Sequence, residues 1–176
     1  METSEKHKEQ APKSLSFAVV TISTSRHQDC EEGRPVTDES GDLIVEKLQS
    51  HGHIVAERRV IPDDEVYIGN TVRQILKYPS IDVVITTGGT GITPSDVTIE
   101  ALRPLIQKEM PGFGELFRVL TYQTIGSAAV MSRAIAGIVG GKAVLCLPGS
   151  PNAVELCLEK LILPEIGHII LHARGT

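Results

Sequence analysis

Apolar residues recur along this chain at two spacings, and the switches between them mark out strands and helices. Phe17–Ser23 (FAVVTIS) is a β-branched, nearly continuous apolar run, which predicts a buried strand. After Ser40-Gly41, the residues Ile44, Val45 and Leu48 share one helical face, and Gly52 closes that helix. His53–Ile61 reads as a second strand, with Ile54, Ala56, Arg58 and Val60 along one side. Pro62-Asp63-Asp64 stops it and opens a helix carrying Ile68, Val72, Ile75 and Leu76 at i, i+4, i+7 and i+8. Ile81–Thr86 is a third apolar strand, followed by the loop Thr87-Gly88-Gly89-Thr90-Gly91.

The pattern then predicts a helix from about Thr93-Pro94 to Lys108. An amphipathic helix over Gly112–Thr124 should follow, with Phe113, Leu116, Phe117 and Leu120 on one stripe. Ala134–Val139 and Lys142–Leu147 are apolar runs separated only by Gly140-Gly141, which is the signature of a β-hairpin. A helix over about Asn152–Leu163 and a last apolar stretch to Leu171 complete the chain. Strand and helix alternate three times before the hairpin. The expected fold is therefore α/β: a three-layer α/β/α sandwich on a mostly parallel sheet with one antiparallel strand.

Composition narrows the function classes. The chain has 176 residues, enough for one domain with a sizeable core, and 41% of them are hydrophobic. Only 3% are aromatic, and the net charge is −5. A mildly acidic, aromatic-poor chain lacks the basic footprint and stacking platforms of a nucleic-acid binder. No apolar run approaches the ~18 residues of a membrane span, and no signal-peptide core is present. Cys146 and Cys157 fall in apolar patterns and read as buried free thiols, which favours a reducing, cytoplasmic setting. Residues 1–14 are polar and read as a disordered, dispensable tail ahead of a single domain over residues 15–176.

In an open α/β sheet, ligands bind beyond the carboxyl ends of the strands. The glycine loop Thr87, Gly88, Gly89, Thr90, Gly91 offers bare amides and two hydroxyls ahead of an expected helix, which suits an anion. It also suits an ordinary glycine turn. It is neither a P-loop nor G-x-G-x-x-G. Asp96, three residues after Thr93, fits a capping box, and it also stands where a phosphate-bound Mg²⁺ would need an oxygen. Asp63 and Asp64 fit helix caps equally well. Singly, each acid reads most simply as a cap; acidic turns after successive strands together point towards a metal site. Gly149, Ser150 and Asn152 lie in a second small-residue loop entering a helix. Ser127 and Arg133 flank an Ala-rich segment, and Asp38 reads as the cap of the first long helix. His168 and His172 are four apart, but without the acid of H-E-x-x-H they read as a solvated helix face.

The ordered set of motifs is more specific than any one of them. Asp38-Glu39-Ser40-Gly41, Pro62-Asp63-Asp64, Thr87–Gly91 with Ser95-Asp96-Val97-Thr98, Met110–Arg118, and Leu147–Pro151 together closely resemble the MoaB/Mog family of molybdenum cofactor biosynthesis. The likeness runs from about Phe17 to Leu171. It implies adenylylation of molybdopterin by ATP with Mg²⁺ and release of pyrophosphate, in a trimer or hexamer. Asp63 and Asp96 would be the metal-associated catalytic acids, with Asp64 beside them. Thr87–Gly91 would hold phosphate, and Ser150 with Asn152 would line the substrate pocket. Ser23, Asp38, Ser127 and Arg133 are further matches. A non-catalytic molybdopterin-binding or carrier protein is the competing reading, and an unrelated nucleotide-binding α/β module a third. Retention of Pro62-Asp63-Asp64 favours the catalyst.

Overall fold

The computed structural model describes residues 11–175. The chain runs β1 (Ser16–Ile22), α1 (Thr24–Glu31), α2 (Glu39–Ser50), β2 (Ile54–Ile61), α3 (Glu65–Ile75), β3 (Val83–Thr87) and α4 (Thr98–Leu102). It continues with β4 (Lys108–Glu109), α5 (Pro111–Ile125), β5 (Ile135–Val139), β6 (Lys142–Leu147), α6 (Pro151–Cys157) and α7 (Ile166–Ala173). The six strands form one sheet in the order β2-β1-β3-β6-β5-β4. Neighbours from β2 to β6 pair in parallel, and β5 is antiparallel to both β6 and β4. The expected three layers, mostly parallel sheet and single antiparallel strand are all present.

Alternation along β1 explains the layers. Phe17 and Val19 point to one face, joining Ile44 and Leu48 of α2, Phe117 of α5, Val154 of α6, and Ile166 and Ile170 of α7. Ala18, Val20 and Ile22 point to the other, against Ile68, Val72 and Ile75 of α3 and Ile99 and Leu102 of α4. A strand buried on both faces needs apolar residues at every position, which is why FAVV carries no polar alternation. The buried thiols are part of these cores: Cys146 and Cys157 are free, and burial pushes both up to about 12. No helix among the described residues is long and apolar enough to cross a membrane.

Three expectations need correction. The polar stretch after β1, for which the apolar pattern predicts no element and which therefore reads as a loop, is not a plain loop. It contains α1, capped by Ser23 and burying none of its residues, so it carries no apolar period to read. The helix expected over Thr93–Lys108 starts only at Thr98; it gives way to a 3-10 turn, Arg103–Leu105, and then β4. Pro104 supplies no amide to extend the helix. On α5, Phe113 and Phe117 face the core, but Leu116 stays 55% exposed. Of the polar leader, residues 1–10 lie outside the described residues. The Pro12 carbonyl sits 2.8 Å from where a Cβ on Gly167 would stand.

Candidate active site

From β1 the chain crosses outward to β2, then returns past β1 to β3. The strand order therefore reverses between β1 and β3, and the crevice beyond their carboxyl ends is the switch point where such sheets bind ligands. Segments after β1, β2, β3 and β6 converge there. Two cavities open on it. A cleft of about 850 Å³ is lined by Gly88, Gly89, Thr90, Gly91, Asp96, Arg133, Gly149, Ser150 and Asn152. A smaller one of about 190 Å³ is lined by Ser23, Asp38, Asp63 and Thr87, and it shares Gly88 and Gly149 with the first. Of the residues singled out from sequence, only Asp64 and Ser127 line neither.

The glycine loop is held by its neighbours. Gly88 adopts φ +100, and a Cβ there would lie 2.3 Å from the Ile22 carbonyl oxygen. Glycine is needed because β3 must turn across the end of β1 without a side chain. A Cβ on Gly149 would come within 3.2 Å of the Gly88 Cα, so the two small-residue loops are in backbone contact. Thr87 Oγ1 donates to the Pro148 carbonyl at 2.8 Å, and Ser40 Oγ donates to the Gly149 carbonyl at 2.8 Å. Thr98 anchors the far side, donating its amide to Gly89 O and its hydroxyl to Gly88 O. The Gly88 amide is spent on the Leu147 carbonyl and the Gly91 amide on Asp96. The amides of Gly89 and Thr90 have no protein acceptor among the described residues. The delayed start of α4 removes the helix dipole expected just beyond the loop. Anion affinity there rests on the loop's own N–H groups and on nearby charge.

The two acids flank this loop. Asp63 accepts from the Thr24 amide at 2.8 Å and the Thr24 hydroxyl at 2.9 Å, both on Oδ2. Its Oδ1 lies 3.1 Å from where a Cβ on Gly89 would stand. Asp96 accepts from the Thr93 amide at 2.9 Å and the Thr93 hydroxyl at 2.5 Å, again on Oδ2. No helix follows directly, and α4 has no side-chain cap, so Asp96 closes a turn rather than a capping box. Its partial burial works to raise its pKa. The Thr93 hydroxyl, the Thr93 and Gly91 amides and the Arg133 charge outweigh that and hold the carboxyl below its ordinary value. Asp64, by contrast, is the N-cap of α3, accepting from the Tyr67 amide at 2.7 Å.

Arg133 clamps the same loop from the hairpin side. Its Nε donates to the Thr90 carbonyl at 2.9 Å, and its guanidinium pairs with Glu100 at 2.5 Å. Ser150 caps α6 and Asn152 projects from its first turn, at the mouth of the larger cleft. Ser127 lies elsewhere, in the 3-10 turn Gly126–Met131, beside Val119, Tyr122 and Val130.

Asp38 is 4% exposed and holds the back of the smaller cavity. It accepts from Thr21 Oγ1 at 2.6 Å, Arg58 at 3.0 Å and the Gly41 amide at 3.1 Å. Burial pulls its pKa upward, but these three donors and the Arg58 charge outweigh it, so the carboxyl titrates below its ordinary value. A depressed folded pKa means stability that is fully present above the unfolded carboxylate value (~3.9) and lost as pH falls through the folded one. Asp38→Asn is expected to cost about 1–2 kcal/mol near pH 7 through lost charge-assisted bonds. That difference should shrink towards zero as melts are taken at pH values falling through the lowered folded pKa of Asp38. A penalty independent of pH would exclude the charge as its source.

Several site residues carried no sequence signal. Thr24, which orients Asp63, is an ordinary polar residue 39 positions from its partner. Phe117, Thr121 and Ile125 wall the larger cleft. Their i, i+4 and i+8 spacing shows a helix stripe but not that a cleft lies beneath it.

The acids can be tested for fit to a divalent cation by their donor chemistry. Each keeps one carboxylate oxygen clear of its threonine, and each lies against the glycine loop, Asp63 at Gly89 and Asp96 at Gly91. Mg²⁺ is held by one or two carboxylates, with substrate phosphates and water completing its octahedron. The donor set fits.

Comparison with known proteins agrees with this architecture. Residues 18–168 match the family described as "Probable molybdopterin binding domain". The chain is 48% identical over 164 residues to molybdenum cofactor biosynthesis protein B of Bacillus anthracis, covering 93% of both chains. It is 42% identical over 162 residues to a Methanocaldococcus jannaschii protein named "Probable molybdopterin adenylyltransferase", covering 92% of this chain and 96% of that one. The crystal structure of the tungsten cofactor synthesizing protein MoaB from Pyrococcus furiosus superposes with a TM-score of 0.81 at 42% identity, covering 93% of this chain and 99% of that one. With the family match over most of the chain, these identities and this superposition, the chain belongs to the MoaB/Mog family of molybdenum cofactor biosynthesis proteins.

Proposed function

We propose that this protein transfers the adenylyl group of ATP to the terminal phosphate of molybdopterin and releases pyrophosphate. The observation that carries the reading is the contact of the two small-residue loops at Gly88 and Gly149, with Asp63 and Asp96 on either side. The name of the Methanocaldococcus relative supports it. A phosphate monoester has its second pKa near 6, so it is already largely dianionic at neutral pH and needs no general base. Its oxygen attacks the α-phosphorus of ATP; a new P–O bond forms there, and the bond to the β-phosphate oxygen breaks as pyrophosphate leaves. Catalysis then reduces to alignment and charge neutralisation.

The chain's own residues meet those needs. The Gly89 and Thr90 amides donate to phosphoryl oxygens, and Arg133 with Thr98 keeps the loop rigid as charge shifts. Ser150 and Asn152 stand across the cleft as polar contacts for the pterin. Phe117, Ile125 and Met131 give one side an apolar wall that excludes water. Mg²⁺ held by Asp63 and Asp96 would neutralise the triphosphate and polarise the α-phosphate. Incubating the protein with molybdopterin, ATP and Mg²⁺ should yield adenylylated pterin and one pyrophosphate per product. Pterin binding without pyrophosphate release would assign the chain a carrier role instead.

The same reading includes a homo-oligomer. Val119, Tyr122 and Val130 are between 54% and 83% exposed together on α5 and the following 3-10 turn. A clustered apolar face of this kind is unusual on a monomer. Light scattering is expected to return a multiple of the 19.0 kDa chain, and Val119→Asp with Val130→Asp to shift it towards one chain. A wild-type mass of one chain at micromolar concentration would reject the assembly.

A further inference from the structure

We infer that Arg26 on α1 holds the pyrophosphate end of ATP in the smaller cavity, a contact that rests on the adenylyl transfer proposed above. The smaller cavity measures about 190 Å³, against about 850 Å³ for the cleft it adjoins. Pockets for drug-sized ligands run from about 300 to 1,000 Å³. The larger cleft therefore has room for a pterin or a nucleoside. The smaller one suits only a compact polar group, such as two linked phosphates. Among the described residues, Arg26 is the one cationic side chain that lines it.

The guanidinium is anchored but not neutralised. Its Nε donates to the Thr37 carbonyl at 2.8 Å, which fixes the plane of the group. Its two terminal nitrogens have no acceptor among the described residues, and it pairs with no carboxylate there. The acids of the cavity have other partners: Asp38 accepts from Thr21, Arg58 and the Gly41 amide, and Asp63 from Thr24. A planar fork with free N–H groups matches phosphoryl oxygens in pairs. Apolar burial does not explain where α1 sits, because the helix buries none of its residues. Its ties are polar: Thr24 on Asp63, Arg26 on Thr37, and His27 Nδ1 at 3.2 Å from the Val60 carbonyl.

The direction of the reaction selects the same residue. In phosphoryl transfer the attacking and leaving oxygens lie roughly in line through phosphorus. The two cavities meet at Gly88 and Gly149, next to the free amides of Gly89 and Thr90. With the pterin phosphate approaching from the larger cleft, pyrophosphate leaves on the opposite side, into the smaller cavity. As the bond from the α-phosphorus to the bridging oxygen breaks, both electrons stay on that oxygen and negative charge grows on pyrophosphate. Arg26 stays protonated throughout and donates to those oxygens, so its contact strengthens towards the transition state. Asp63 shares the cavity and by itself would repel the leaving group; the Arg26 charge opposes that repulsion.

Calorimetric titration of the full-length chain with inorganic pyrophosphate in Mg²⁺, and separately with AMP, tests this. The wild type should bind pyrophosphate, and Arg26→Gln should weaken that binding at least ~10-fold through lost charge-assisted hydrogen bonds. AMP affinity should not change, because AMP lacks the two phosphates that reach the cavity. Arg26→Lys should recover part of the loss, since it keeps the charge without the fork. An arginine that only propped the Thr37 loop would weaken both ligands alike. In the transfer assay, Arg26→Gln should lower kcat at least ~10-fold with KM for molybdopterin unchanged. Pyrophosphate binding that is absent from the wild type, that survives Arg26→Gln, or that falls together with AMP binding would overturn the role of Arg26. Wild-type turnover in Arg26→Gln would do the same. Pyrophosphate held through Arg26 by a chain that makes no adenylylated pterin would instead refute the transferase reading and uphold this contact.

Discussion

Asp63→Asn and Asp96→Asn are each expected to slow adenylyl transfer at least ~100-fold, equivalent to about 2.7 kcal/mol of barrier. The folded protein should barely notice. Asp96 uses one oxygen to take both Thr93 donors, and Asp63 uses one to take both Thr24 donors. An asparagine carbonyl can accept in the same place, so each substitution should cost about 0.5–1.5 kcal/mol of stability. The second oxygen is what changes. Asparagine presents an amide N–H₂ where the carboxylate presented an anionic oxygen, and no cation is held by an amide donor. Pterin binding should persist, because the loop amides, Ser150 and Asn152 remain. The double variant should lose less than the sum of the single losses, since under the proposed function both acids would serve one ion. A folded Asp96→Asn protein that still transfers adenylyl at near wild-type rate would remove Asp96 from the chemistry and leave it as a turn residue.

Gly88→Ala is expected to be the most damaging small substitution in the fold. The positive φ costs about 1–3 kcal/mol for a residue with a Cβ. The Cβ would also meet the Ile22 carbonyl at 2.3 Å. That contact is to backbone at the end of a central strand, so relief requires β1 and β3 to separate. A total of at least ~3 kcal/mol, or roughly 6–12 °C of Tm at this chain length, should follow. Gly33→Ala is the control. Gly33 also has positive φ, +69, but an added Cβ meets nothing within 4 Å. It should lose only about 1 kcal/mol. Equal melting temperatures for the two variants would show that the close approach, and with it the rigid seat of the phosphate loop, is not maintained in solution.

The layers, five of the six strands and the hairpin were legible because each rests on local periodicity; the two-residue β4 was hidden at the end of an expected helix. FAVVTIS and IDVVIT could only be strands covered on both faces, and Gly140-Gly141 between apolar runs could only reverse the chain tightly. The motif order was legible too, and it located the family. Where local signal was weak, the reading failed. The stretch after Ser23 folds as α1 with no buried residue, so its helix leaves no apolar stripe. The stretch after Thr93 looked like a capped helix because Thr-Pro-Ser-Asp has the right spacing. In the fold, Asp96 is instead drawn onto Thr93 and Gly91, and Arg133, 37 positions away in sequence, holds the Asp96 carbonyl.

The sequence by itself determined five of the six segments that form the sheet, which loops lie at the carboxyl ends of its parallel strands, and which residue types those loops carry. These are properties of neighbours a few positions apart, where periodicity, proline and glycine act directly. Tertiary structure alone decided what the carboxylates do. Asp63, Asp64 and Asp96 looked interchangeable as caps. The fold makes Asp64 a cap, turns Asp63 onto the glycine loop through Thr24, which the sequence did not pair with it, and sets Asp96 on Thr93 with no helix following directly. It also moved Ser127 off the cleft onto an exposed apolar face. The physical reason is common to all of these. A side chain's role depends on which donors, charges and backbone face it across the chain, and that is fixed only when β1, β3 and β6 pair and bring their loops together.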